Sequence, residues 1–202
     1  MKLYYSPGAC SLAPHIVAHE LGLPLTLEKV DTKTKQMASG GDFFAVNPKG
    51  YVPALQLDSG EVLTEGPVVA QYLADLKPDA GLAPANGTLP RYRLQETMGY
   101  INSEIHKSYS PLFNSATPAD TRAERLQYLT KRYGLIEQTL AKQPYITGET
   151  FTVADAYLFT VTNWAKHVQL DLSPFPALQA FQQRVAQRPA VQAALKAEGL
   201  VK

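Results

Sequence analysis

The sequence predicts an α/β unit over residues 1 to about 80 followed by an all-helical unit from about 87 to 202. Three observations predict it. Up to Leu76 the apolar residues switch between short β-prone runs and helix-spaced stripes, in the order strand, helix, strand and then strand, strand, helix. Between Pro78 and Pro90 the chain carries three prolines and two glycines, which break both periodicities and read as a linker. Beyond Pro90 no run reads as a strand, and the apolar residues return at helical spacing.

Each element has its own signal. Leu3, Tyr4 and Tyr5 form a strand that Ser6, Pro7 and Gly8 break; Leu12, Ala13, Ile16, Val17 and Leu21 then recur as a helix stripe until Gly22. Leu25, Leu27 and Val30 around Thr26 give a second strand, and Val52 to Leu57 with Glu61 to Thr64 flank Asp58, Ser59 and Gly60 as a hairpin. Val68, Val69, Tyr72, Leu73 and Leu76 make one helix face ending before Pro78. Thr88 caps a helix that opens at Pro90 and runs toward Pro111, and Thr117 with Pro118 opens another whose stripe is Leu126, Leu129, Tyr133, Ile136 and Leu140. Thr152 to Asp155 has the form of a capping box, with Asp in the usual Glu or Gln place and Phe151 as staple residue. A buried helix through Val153, Tyr157, Val161 and Trp164 follows, then helical pieces at Pro176 to Arg188 and Pro189 to Lys196.

Composition narrows the function classes. With 45% hydrophobic and 18% charged residues the chain is apolar enough to fold, and its net charge of +1 offers no excess of cations to a phosphate backbone. Nucleic acid is not an expected partner. The longest uncharged apolar stretch, Ala156 to Ala165, is half the length of a membrane span, so no membrane partner is expected either. Gly8, Ala9 and Cys10 mimic a lipoprotein cleavage site, but Tyr4 to Gly8 interrupt the apolar run that a signal segment requires. The single cysteine excludes an intrachain disulfide and a multi-cysteine zinc site and fits the reducing cytoplasm.

Cys10 lies between the first strand and the first helix, where unpaired N–H groups and the helix dipole favour a thiolate; a buried structural cysteine is the alternative. A dithiol motif is missing, since the fourth position is Ala13, so any thiol chemistry takes its second sulfur from a ligand. His15 and His19 stand at i, i+4, but Ile16 replaces the glutamate of a zincin and no third ligand is evident, so no metal is expected.

Residues 47 to 55, Asn-Pro-Lys-Gly-Tyr-Val-Pro-Ala-Leu, with Glu65, Gly66 and Pro67, the linker and the Phe151 to Asp155 box, resemble the cytosolic glutathione transferases. Cys10 at the end of the first strand, and His106 and Lys107 midway along the first helix of the second domain, narrow the resemblance to the bacterial beta class. It runs end to end and implies a thioredoxin-like α/β N-terminal domain, residues 1–80, that binds glutathione, and an all-α C-terminal domain, residues 87–202, that completes the electrophile site and the dimer interface. It also favours a cis peptide before Pro53, in which Val52 turns its backbone toward a groove; a trans proline opening an edge strand is the ordinary alternative.

By the same resemblance Cys10 and His106 are catalytic. Glu65 faces the γ-glutamyl ammonium of glutathione, the Gly66 backbone binds the α-carboxylate, Val52 pairs with the cysteinyl backbone and Lys35 meets the glycyl carboxylate. Ser103 and Glu104 reach the glutathione of a partner subunit in a homodimer. Two departures stand out: Gly66 lacks the hydroxyl that relatives often carry there, and Gly99 replaces an expected asparagine. Ser103, His106 and Lys107 lie at i, i+3, i+4 and are expected on one helix face. Tyr5 and Ser11 are fallback donors to the sulfur, and Tyr109, Phe113 and Trp164 are the expected apolar wall for the electrophile. The implied reaction is attack of the glutathione thiolate, glutathione being the co-substrate, on a small hydrophobic electrophile. Reduction of disulfides or peroxides through Cys10 is a companion activity, and a noncatalytic glutathione or apolar-ligand binder is the alternative. Pro53, Thr152 and Asp155 are given structural roles.

Overall fold

The computed structural model describes residues 1–202. Its first strand, β1 (Lys2–Tyr5), leads through a short loop into α1 (Leu12–Glu20) and on to β2 (Thr26–Lys29), which pairs parallel to β1. The hairpin β3 (Ala54–Gln56) and β4 (Val62–Thr64) adds antiparallel on the other side, giving the order β2-β1-β3-β4. Register decides which side chains share a face, because neighbours along a strand point to opposite sides. Leu3 stands opposite Leu55 and Tyr4 opposite Ala54. Tyr4 and Ala54 pack with Val30, Phe43 and Val52 on one face. Leu3 and Leu55 share the other, where α2 (Gly66–Asp75) follows β4 and packs on α1.

The second run is helical throughout. Thr88 caps α3 (Leu89–Tyr100), its hydroxyl accepting from the Arg91 N–H at 3.4 Å, and the helix continues without a break into a π-helical segment, Ile101–His106, and the short α4 (Lys107–Tyr109). Then come α5 (Ala119–Leu140), α6 (Val153–Thr162), the single-turn α7 (Ala165–Val168), α8 (Pro176–Ala186) and α9 (Pro189–Ala197). Every residue of α6 is buried. Its start is held by Asp155, whose Oδ2 accepts from the Thr152 N–H at 2.8 Å and hydroxyl at 2.9 Å, and whose Oδ1 accepts from the Ile146 N–H at 2.7 Å. Burial pushes the Asp155 carboxyl up to about 6, against the pull of those donors.

The chain divides into two units, Met1–Ala83 with Gln187–Lys202, and Pro84–Ala186. The expectation of one helical unit over residues 87–202 differs from this division, in which residues 187–202 group with the first unit. The physical reason is α9, which packs on α1. Arg188 before it makes a paired ion bridge to Glu20, Nε to Oε1 at 2.6 Å and the terminal nitrogen to Oε2 at 2.9 Å. Glu198 after it, its side chain 0% exposed, accepts from the Gly8 N–H at 2.8 Å and meets His15 Nδ1 at 2.9 Å. The last helix thus belongs to the α/β unit on which it docks. No helix is long and apolar enough to cross a membrane.

Candidate active site

In the first unit the loop after β1 delivers Cys10 just ahead of α1, half-buried. Its thiol donates to the Val52 carbonyl at 3.1 Å, so two residues 42 apart in sequence, one in the loop after β1 and one just before β3, meet beyond the ends of the two inner strands. The Val52–Pro53 peptide is cis, as the resemblance favours. Ser11 does not fit the fallback role: it is wholly buried, and its hydroxyl closes on Ser6, accepting from the N–H at 3.2 Å and donating to the carbonyl at 3.3 Å. Tyr5 is held as a phenol, its hydroxyl pushed above the ordinary range by burial and by the charges of Glu198 and Glu28.

Glu65 and Gly66 open α2. Glu65 sits at φ 68, a left-handed conformation rare for a residue with a side chain, and strain of this kind gathers at ligand sites. Its carboxylate is exposed and already paired with Lys49, Nζ to Oε1 at 2.7 Å, with the Thr64 hydroxyl accepting from the same ammonium at 3.0 Å. Lys49 was not among the expected residues, although it stands inside the Asn47 to Leu55 motif. Lys35, also at positive φ (61), donates from Nζ to the Gly50 carbonyl at 2.8 Å and lies over the Tyr51 ring. A Cβ on Gly66 meets the Pro53 ring at an ordinary 3.7 Å.

In the second unit Ser103, Glu104 and His106 all fall in the π-helical segment. There each closed turn takes one more residue than in an α-helix, so the i, i+3, i+4 face expected for Ser103, His106 and Lys107 is not an α-helical stripe. Ser103 is exposed and donates to the Gly99 carbonyl at 3.0 Å. Space around Gly99 is open. Glu104 is tied to α5, its Oε2 forming an ion pair with Arg132, 2.8 Å from Nε, and accepting from the Tyr128 hydroxyl at 2.5 Å. His106 Nδ1 is 2.5 Å from the Tyr157 hydroxyl, and its ring stands edge-on to Trp164 with centroids 4.9 Å apart.

The three aromatics expected to form the apolar wall come together. Trp164 is edge-on to Tyr109 at 5.6 Å and to Phe113 at 5.9 Å, and Tyr109 stacks on Phe113 at 6.3 Å. Their exposure differs, however. Phe113 is 54% exposed, Trp164 9% and Tyr109 0%. Tyr109 is therefore a backing residue and not a lining one, a correction caused by its hydroxyl, which turns inward to the Tyr133 hydroxyl at 2.9 Å. Burial drives the Tyr109 phenol far above its ordinary range. The His15 and His19 rings lie tilted to each other with centroids 4.9 Å apart, and no group of three His, Cys, Asp or Glu side chains gathers around a metal position.

Residues 8–76 match the family described as "Glutathione S-transferase, N-terminal domain", and residues 100–189 match "Glutathione S-transferase, C-terminal domain". The chain is 48% identical to glutathione S-transferase GstA of Escherichia coli O157:H7, over 99% of this chain and all of that protein. It belongs to the glutathione S-transferase family. Among solved structures, the bacterial beta class glutathione S-transferase of Sphingomonas chungbukensis is 48% identical with a TM-score of 0.97, and both chains are covered completely. A sphingomonad glutathione S-transferase complexed with glutathione is 47% identical with a TM-score of 0.96, again over 100% of each chain. These likenesses establish the thioredoxin-like N-terminal and helical C-terminal glutathione transferase fold for this chain, and with it the beta class reading.

Proposed function

We propose that this glutathione transferase joins the thiolate of glutathione to small hydrophobic electrophiles, with Cys10 and His106 as the groups that act on the sulfur. The observation that carries the proposal is the meeting of the Cys10 thiol with the Val52 carbonyl at the head of α1, beside the cis Val52–Pro53 bond. A peptide-like ligand finds there a backbone able to pair with it as an extra strand and amide dipoles that favour a sulfur anion. In this reading Val52 pairs with the cysteinyl unit, Glu65 holds the γ-glutamyl ammonium, the Gly66 backbone takes the α-carboxylate and Lys35 the glycyl carboxylate. Lys49 is added to the set, because glutathione's ammonium takes up Glu65 in competition with it. Phe113 and the edge of Trp164 receive the electrophile. The N-terminal unit supplies the glutathione contacts, and the helical unit supplies the electrophile wall and the dimer contact.

A second activity is favoured by the half-buried thiol of Cys10. Its thiolate attacks the glutathione sulfur of a mixed disulfide between glutathione and another thiol, the S–S bond breaks, the other thiol leaves as thiolate and the glutathione stays on Cys10 as a mixed disulfide. A further glutathione thiolate then restores Cys10. Intact-mass spectrometry with and without reductant, beside a conjugation assay, tests both. A reductant-sensitive glutathione adduct on Cys10 supports exchange, and turnover above the uncatalysed rate excludes a protein that only binds. We place the protein in the cytoplasm as a homodimer, in which Ser103 and Glu104 of each chain serve the partner's glutathione.

A further inference from the structure

We propose that Tyr157, with Asn102 behind it, is a positioning residue that holds the His106 proton on Nδ1 and so leaves Nε2 as the atom that takes the proton of the glutathione thiol. The proposal deepens the function given above and rests on its assignment of His106. The Tyr157 side chain is 1% exposed, in a helix buried along its whole length. Its hydroxyl donates to Asn102 Oδ1 at 2.8 Å and lies 2.5 Å from His106 Nδ1. A phenol has one proton to give. With that proton spent on Asn102, the oxygen can only accept from His106, and Nδ1 must carry hydrogen. A neutral imidazole has a single N–H, so the lone pair is on Nε2.

The arrangement also suits the charged form. When Nε2 gains a proton, the Nδ1–H bond to Tyr157 is kept, so no group in the cluster has to turn. In the step itself the S–H bond of glutathione breaks, its electron pair stays on sulfur, and the proton forms the Nε2–H bond. The imidazolium keeps this proton until the sulfur attacks the electrophile, after which the proton passes to the leaving group or to water. The ring is held for this by the edge-on contacts to Trp164 at 4.9 Å and to Tyr157 at 5.8 Å. This is the logic by which an orienting group fixes the tautomer of a catalytic histidine, with a phenol and an amide here in place of a carboxylate.

The test is nitrogen NMR of the histidine-labelled full-length protein, with the His106 signals assigned by their loss in His106→Gln. The expected result, above the titration of His106, is a proton on Nδ1 in the wild type. In Tyr157→Phe the proton is expected to move to Nε2, and kcat to fall about tenfold to a hundredfold with the Kd for glutathione unchanged. In Asn102→Ala the Tyr157 proton is released toward His106, so the same change of tautomer is expected with the phenol retained. A merely structural Tyr157 lowers stability without moving the proton. A wild-type His106 protonated on Nε2, or one that keeps Nδ1–H in Tyr157→Phe, overturns the proposal, and the wild-type spectrum decides even if both variants fail to fold. A wild type that does not conjugate glutathione defeats instead the function on which the proposal rests.

Discussion

Gly66 lacks the side-chain hydroxyl that the family resemblance leads one to expect at this position, and the structure shows room for one. Its backbone has no left-handed φ, and an added Cβ lies 3.7 Å from the Pro53 ring. Gly66→Ser is therefore expected to fold normally and to lower the Kd for glutathione several-fold, because a hydroxyl adds a hydrogen bond to a carboxylate; calorimetry measures it. Glu65 is the opposite case. Its ion pair with Lys49 is exposed on both sides and contributes about 0–1 kcal/mol at most to folding, so Glu65→Ala should leave the unfolding midpoint nearly unchanged. If the carboxylate anchors the ammonium, the same variant raises the Kd about tenfold or more. An unchanged affinity removes Glu65 from the site. The places of Cys10 between β1 and α1, of Val52 before the cis proline and of Glu65 before α2 were legible in the sequence. Lys49 was not, since one lysine among several on a polar loop gives no sign of the carboxylate it will meet. Nor was the burial of Tyr109, because a tyrosine next to an aromatic cluster reads the same whether its hydroxyl faces in or out.

At the level of elements, helix starts were legible and helix partners were not. Thr88, Pro118 and the Thr152 to Asp155 box stand where α3, α5 and α6 begin, because each answers a local need of the first turn. The π-helical segment at Ile101–His106 left no sign, as its residues fit an α-helix equally well. The stripe of α9 shows that the helix buries a face but not against what. The Asp155 box makes a prediction about pH. The folded carboxyl titrates at about 6 against an ordinary 3.8, so between these values the folded state binds the extra proton and stability falls as pH rises. The shift corresponds to about 3 kcal/mol at most, and Asp155→Ala removes this dependence. Urea unfolding should therefore show the wild-type advantage over Asp155→Ala to be larger at pH 4 than at pH 7. For α9, Glu198→Ala removes the buried carboxylate that accepts from the Gly8 N–H and meets His15, and a loss of about 3 kcal/mol is expected in the same measurement.

For the whole molecule, the two-part layout was legible from the switch of periodicity and the proline and glycine tract. The return of residues 187–202 to the first unit was not, because that docking depends on Arg188, Glu198 and α1 meeting only after folding. A homodimer predicts a sedimentation mass twice the 22.1 kDa of the chain. If Ser103 serves the partner's glutathione, a mixed dimer of a Cys10→Ala chain and a Ser103→Ala chain carries both lesions in one site and neither in the other. Its activity should exceed the mean of the two parent dimers, and activity no higher than that mean shows the sites to be self-contained. The central claim, however, is catalysis of glutathione conjugation. The measurement that reaches it most directly is the initial rate of thioether formation between glutathione and an activated aryl chloride, followed by absorbance over a range of glutathione concentrations. The account predicts a rate above the uncatalysed reaction that is proportional to enzyme and saturates with glutathione, whereas a rate equal to the uncatalysed one at every concentration would contradict it.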